Sequence, residues 1–116
     1  MSDKEYLTLR SILEAIDKIE RFVQHIKTAE DLLNDDKSYD AILMNFIVIG
    51  EMVTKLDDEF LEKYPHIEWY KIRALRNIAA HDYFGVQPEL LWQIIRDRLV
   101  DLKAEVNKIL SLNCRI

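Results

Sequence analysis

The chain has 116 residues, a net charge of −5, 49% apolar and 32% charged residues, and only two Gly and two Pro. That composition argues against disorder and, with so few turn-formers, against a β-rich architecture. One cysteine, Cys114, rules out an intrachain disulfide framework and fits a reducing cytoplasm. We expect a single domain over residues 1–116. We expect it to be cytoplasmic, with no leader and no membrane span. The charged start Met1-Ser2-Asp3-Lys4-Glu5 runs straight into an amphipathic pattern, and the longest mostly apolar run, 41–50, is too short for a bilayer.

Ser2 and Glu5 stand at capping-box spacing, and apolar residues recur at Tyr6, Leu9, Ile12, Leu13, Ile16, Ile19, Val23 and Ile26. Those steps of three and four predict one long helix. Thr28 caps a short segment over 29–34 that ends in Asn34-Asp35-Asp36. A second long helix is expected from about Lys37 to Leu56. Its main stripe is Tyr39, Ile42, Leu43, Phe46, Ile49, Val53 and Leu56, and Met44, Ile47, Val48 and Met52 add apolar surface on its other sides. Such a helix is covered on more than one side, by a central position in a bundle or by a second subunit. Gly50 inside it costs about 1 kcal/mol relative to Ala, which a close approach by another backbone would explain.

Residues 57–63 predict a helical turn stopped at Tyr64-Pro65. A third main helix begins near Glu68, and Tyr83-Phe84-Gly85-Val86 breaks its pattern. Pro88 opens the last helix, with the stripe Leu91, Ile94 (with Ile95), Leu99, Leu102, Val106 and Ile109. Four long segments with short connections predict an all-α, up-and-down antiparallel four-helix bundle with short extra helical segments.

The third helix carries Arg76-Asn77-Ile78-Ala79-Ala80-His81-Asp82-Tyr83, an R-x4-H-x-Y arrangement. From Trp69 to His81 there are three basic residues, Lys71, Arg73 and Arg76, and no acidic one, so the remainder carries −5 − 3 = −8. A cationic patch on an acidic body suits a local anionic partner such as a phosphate. At about 100° per residue, Arg73, Arg76, Asn77 and Ala80 share one helical face, and Ile72, Leu75, Ile78 and Ala79 lie opposite. His81 falls about 140° from Arg76 on an ideal helix. Either the helix unwinds at His81, or a second copy of the chain completes the site.

An imidazole with pKa near 6.5 takes and returns protons at neutral pH, and a guanidinium holds phosphate oxygens with two hydrogen bonds. Together they suffice to cleave RNA without a metal, His81 moving the proton and Arg76 stabilising charge on the phosphoryl oxygens. Asn77 offers another donor, and Tyr70, Lys71 and Arg73 would flank an RNA path. Spacing alone favours a plainer reading, in which a surface Arg is solvated and a His complements a helix C-terminus.

At these residues the sequence resembles the HepT family, a branch of the HEPN superfamily. The likeness includes Pro65-His66-Ile67-Glu68-Trp69, Arg76-Asn77, His81 through Val86, Ile49-Gly50-Glu51 and Trp92. Where the family often has an Arg shortly before its I-G-E segment, this chain reads Leu43-Met44-Asn45-Phe46. The resemblance implies a HEPN-like homodimer that brings two R-x4-H motifs together. It implies a metal-independent endoribonuclease with Arg76 and His81 as the catalytic pair. It further implies the toxin of a type II toxin–antitoxin pair, whose partner is a minimal nucleotidyltransferase that attaches AMP to Tyr83.

The alternative is a non-catalytic subunit that binds a nucleotide or substrate for a nucleotidyltransferase. Other enzyme classes find little support. His25, His66 and His81 lack metal-ligand spacing, Asp57-Asp58-Glu59 reads as a solvated helix end, and no glycine loop cradles a phosphate. No cofactor and no metal are therefore expected, and Trp69 and Trp92 are assigned to core or interface.

Overall fold

The computed structural model describes residues 1–82 and 88–113, with the backbone alone at His81 and Asp82. Tyr83 and Cys114, singled out above, lie outside the described residues. Helix α1 (Asp3–Phe22) starts at its capping box: the Ser2 hydroxyl accepts the Glu5 N–H at 3.0 Å and Glu5 Oε1 accepts the Ser2 N–H at 2.9 Å. Each bond satisfies a donor that the first helical turn would otherwise leave orphaned. The short α2 (Ala29–Leu33) is capped by Thr28, whose hydroxyl accepts the Asp31 N–H at 3.0 Å.

Helix α3 (Asp36–Thr54) begins at Asp35, whose Oδ1 accepts the Ser38 N–H at 3.1 Å while Oδ2 meets His25 Nε2 at 2.5 Å. It ends two residues before the expected Leu56, which is nevertheless buried. A single turn, α4 (Asp58–Glu62), buries Phe60, whose ring stacks at a tilt on Tyr64 with centroids 5.3 Å apart.

The expected third helix is two pieces, α5 (Trp69–Arg73) and α6 (Leu75–Asp82), with Ala74 between them. The joint is carried by the Ala74 N–H to the Tyr70 carbonyl at 3.1 Å and the Ile78 N–H to the Ala74 carbonyl at 3.0 Å. The last rod comprises α7 (Pro88–Gln93), a π-helical turn (Ile94–Arg98) and α8 (Leu99–Leu112). From Ile94 to Leu99 the core stripe steps by five, and the Leu99 N–H reaches the Ile94 carbonyl to match it. This wider turn lets the consecutive Ile94 and Ile95 both enter the core, at 2% and 7% exposure.

These pieces form four rods: α1, α3, α5–α6 and α7–α8. Helix α3 lies between α1 and α5–α6, α8 packs on α1, and α2 bridges α3 and α7. The all-α bundle expected from the periodicity is the fold found, with α2 and α4 as its short extra segments. Leu9, Ile12, Ile16, Ile19, Ile42, Phe46, Ile49, Val53, Leu91 and Val106 are fully enclosed. Each such side chain contributes about 1.5–3 kcal/mol of burial free energy.

The apolar surplus of α3 divides. Ile47, Val48 and Met52 are half-buried against the core, whereas Met44 is exposed. Two polar side chains of this helix are buried: Ser38 donates its hydroxyl to Asp35 Oδ2 at 2.9 Å, and Asn45 donates its amide N–H to the Ala41 carbonyl at 2.8 Å. Trp69, assigned to core or interface, is buried in the core, and among the described residues its indole N–H has no partner. Among the described residues no helix is long and apolar enough to cross a membrane.

Candidate functional site

The position of Arg76 follows from a contact between two helices. A Cβ added to Gly50 would lie 3.0 Å from the Arg73 carbonyl oxygen, the Arg76 nitrogen and the Arg76 Cβ. The absent side chain is what lets α3 and the α5–α6 joint approach so closely, and it accounts for a glycine placed mid-helix at a cost in propensity. Thr54 returns its hydroxyl to the Gly50 carbonyl at 3.0 Å, satisfying that oxygen a second time near the end of α3.

The next residue on α3, Glu51, meets Arg76 across this junction, with Nε and Oε1 2.7 Å apart. Arg76 has no acidic neighbour between residues 69 and 81 of its own segment, so its counter-charge comes from another helix. A guanidinium carries five N–H donors, more than one carboxylate occupies, so capacity for a phosphate remains.

The two faces of the motif helix separate as its register requires. Leu75 and Ala79 are buried, Ile72 and Ile78 are half-buried, and Arg73, Arg76, Asn77 and Ala80 are exposed. The expected alternatives for His81 are also resolved in part. The chain remains helical through Asp82, so no unwinding at His81 turns that position back toward Arg76. Within one chain the two positions stay about 140° apart around α6. The side chain of His81 is not among the described ones.

Lys71 is placed apart from this face. Its ammonium binds Glu68 at 2.7 Å, lies 5.9 Å from the Tyr70 ring centroid, and holds the Glu68 carboxyl below its ordinary value. It lines a hollow of about 300 Å³ between α5 and α8, together with His66, Arg98 and Glu105. There His66 bridges to Glu105 at 2.8 Å, tying the lead-in of α5 to α8. A shallower and larger hollow of about 630 Å³ runs along α7 past Trp92 and Arg96, whose guanidinium sits 5.9 Å from the indole. Neither hollow contains Arg73, Arg76 or Asn77. Their face is open surface, with the Arg76 side chain 63% exposed.

One chain therefore offers two guanidiniums and an amide on adjacent helical positions, anchored by a carboxylate. That arrangement has the chemistry to hold an anion, and position 81 lies around the helix from it. Sequence reasoning did not single out Glu51 as the partner of Arg76. The signal was present in the acid-free window around Arg76 and the adjacent Gly50, but joining them needs the helix pairing.

Comparison with known proteins adds the lineage. The family model described as "Ribonuclease HepT-like" matches residues 12–109. A protein of Thermococcus cleftensis named "Probable ribonuclease HepT" is 33% identical over 108 residues, covering 93% of this chain and 96% of that one. Two further relatives have names that include "putative RNase". One, from Caldanaerobacter subterraneus subsp. tengcongensis, is 32% identical over 107 residues, covering 90% of this chain and 96% of its own. The other, from Methanocaldococcus jannaschii, is also named a gamma-glutamylcyclotransferase and is 36% identical over 103 residues. The match covers 89% of this chain but 46% of that protein, so the chain spans about half its length. No solved structure matches the chain.

Proposed function

The chain belongs to the ribonuclease HepT-like family, and from that premise we propose that it is an endoribonuclease whose site is completed by a second copy. His81 takes the proton from a ribose 2′-OH. The freed oxygen attacks the adjacent phosphorus, and the bond to the 5′-oxygen breaks. The leaving oxygen takes a proton from water, His81 returns its own proton to the solvent, and the products are a 2′,3′-cyclic phosphate and a 5′-hydroxyl end. Arg76 stabilises the charge that builds on the non-bridging oxygens, and Arg73 and Asn77 hold the flanking backbone. Lys71, committed to Glu68, serves as a more distant contact on the RNA path.

The observation that carries the two-copy reading is the uninterrupted α6, which keeps the Arg and His positions on different faces of one chain. A two-fold axis beside α6 would set the partner subunit's His81 against Arg76 and do the same in reverse. The exposed Met44 of α3 adds apolar surface that such a contact would cover.

The same reading extends to regulation. The chain acts as the toxin of a toxin–antitoxin pair, and a minimal nucleotidyltransferase transfers AMP to Tyr83. The added phosphate, two residues from His81, would compete for Arg76.

Cleavage of a mixed RNA pool by wild type and by His81→Ala in chelator tests the chemistry. Wild type should yield 2′,3′-cyclic phosphate ends, and His81→Ala should lose at least about 100-fold with its melting curve unchanged. Equal cleavage by both would move the chemistry elsewhere. A wild type that binds a nucleotidyltransferase without cutting RNA would favour the non-catalytic subunit. Light scattering at micromolar concentration should report a dimer, and a monomer would remove the shared cleft. Coexpression with a neighbouring nucleotidyltransferase should add the mass of AMP, and Tyr83→Phe should abolish that addition.

A further inference from the structure

We infer that Glu51 is a positioning residue for Arg76, an assignment that rests on the ribonuclease reading. Its carboxylate holds the guanidinium at the Nε edge and so sets the direction in which the other N–H donors meet a phosphate.

Three observations converge. The contact is direct, at 2.7 Å, and links two helices rather than neighbours on one. The backbones it spans are fixed by the Gly50 junction, where α3 and the main chain of Arg73 to Arg76 touch with no room for a methyl group. Glu51 therefore extends from a point whose distance to Arg76 is set by main-chain packing. Finally, the arginine needs such a restraint. Its side chain is 63% exposed, and the acid-free window around it provides no carboxylate from its own segment. A long, exposed guanidinium left to itself samples many rotamers, and ordering it at the moment of reaction raises the barrier.

The pair's contribution to folding is a separate matter. With side-chain exposures of 63% and 41%, it is a solvent-screened contact of the kind that adds little stability. Loss of Glu51 should then appear in turnover and leave the fold intact, which separates positioning from a structural role.

The test uses the full chain with Glu51→Ala, Glu51→Gln and Glu51→Asp. Each variant is followed by steady-state cleavage of a fluorogenic RNA oligomer, by thermal melting, and by ¹⁵N NMR of arginine Nε–H groups. We expect Glu51→Ala and Glu51→Gln to lower kcat by about 10–100-fold while KM moves less than about threefold. Glu51→Asp should recover part of the loss, because it retains the charge at a shorter reach. The Arg76 Nε–H resonance should exchange slowly in wild type and broaden or vanish in Glu51→Ala. An unchanged kcat, or a rise in KM alone, overturns the assignment. Faster cleavage in Glu51→Gln also overturns it and makes the carboxylate an electrostatic brake on phosphate binding. If wild type cleaves no RNA, the ribonuclease reading fails by itself, and the NMR arm still decides the restraint: identical Arg76 Nε–H exchange in wild type and Glu51→Ala refutes it. Should Glu51→Ala fail to fold, the isosteric Glu51→Gln carries the same comparison.

Discussion

Replacing Gly50 with Ala tests the helix junction on which the site depends. The added methyl would lie 3.0 Å from the Arg73 carbonyl oxygen, the Arg76 nitrogen and the Arg76 Cβ. Two of these are main-chain atoms and the third is fixed to the main chain, so no rotamer change relieves the contact. Helix α6 or α3 must give by a few tenths of an ångström, and α6 is held by Leu75 and Ala79, at 2% and 1% exposure. Overpacking of this kind costs about 1–3 kcal/mol, and Ala in place of Gly inside a helix returns about 1 kcal/mol. The balance is a loss of roughly 0–2 kcal/mol, and each 1 kcal/mol corresponds to about 4 °C of melting temperature for a domain near this size.

Urea denaturation at 25 °C provides the assay. The exposed Lys108 on α8 provides the reference, because Ala and Gly variants there report helix propensity alone. Subtracting the Gly-to-Ala effect at 108 from that at 50 isolates the junction, with an expected residual of about 1–3 kcal/mol. A residual of zero, with Gly50→Ala stabilised as fully as the reference site, would refute the close approach. It would also remove the structural reason given for the reach of Glu51.

Phe46→Ala, which empties a fully enclosed aromatic site, should cost about 3–5 kcal/mol in urea denaturation, and a loss under about 1 kcal/mol would place Phe46 outside the core. Asp35, bonded by His25 and by the backbone and hydroxyl of Ser38, has its carboxyl held below the ordinary value. A depressed carboxyl stabilises the fold above its unfolded pKa of about 3.9 and loses that contribution as pH falls through the lower folded value. Asp35→Asn retains a helix cap without the charge, so its urea midpoint should fall less than that of wild type on acidification below about pH 4; parallel curves would contradict this. Lys103 on α8, bound to Glu20 at 3.1 Å and Asp17 at 3.4 Å on α1, has its ammonium pushed up. Its contribution is full below the unfolded lysine pKa of about 10.4 and is lost as pH rises through the higher folded value. Because the pair is exposed, Lys103→Met should cost no more than about 1 kcal/mol at neutral pH, shrinking in 1 M salt; a larger, salt-independent loss would reveal a buried role.

Some of the molecule was legible because the energies that decide it are local. The Ser2–Glu5 capping box, the Thr28 cap and the stripe from Leu9 to Ile19 were read from spacing and found as read. Caps and period-3.6 stripes are set by residues within two turns of each other, so the order of residues specifies them directly. The division of the motif helix into an apolar face at Leu75 and Ala79 and a cationic face at Arg73 and Arg76 belongs to the same class.

Other features waited for the packing. The interruption at Ala74, the π-turn at Ile94–Arg98 and the choice of Glu51 as counter-charge for Arg76 carry no local signature strong enough to force them. Each is a response to a neighbouring helix: the α5–α6 joint meets Gly50, the π-turn fits a five-residue step onto one buried face, and Glu51 reaches Arg76 only because two backbones touch. The sequence by itself determined the helical rods, their apolar and polar faces and where charge sits along them. The tertiary structure decided that Arg76 is held from α3, because that pairing depends on a contact between segments far apart along the chain.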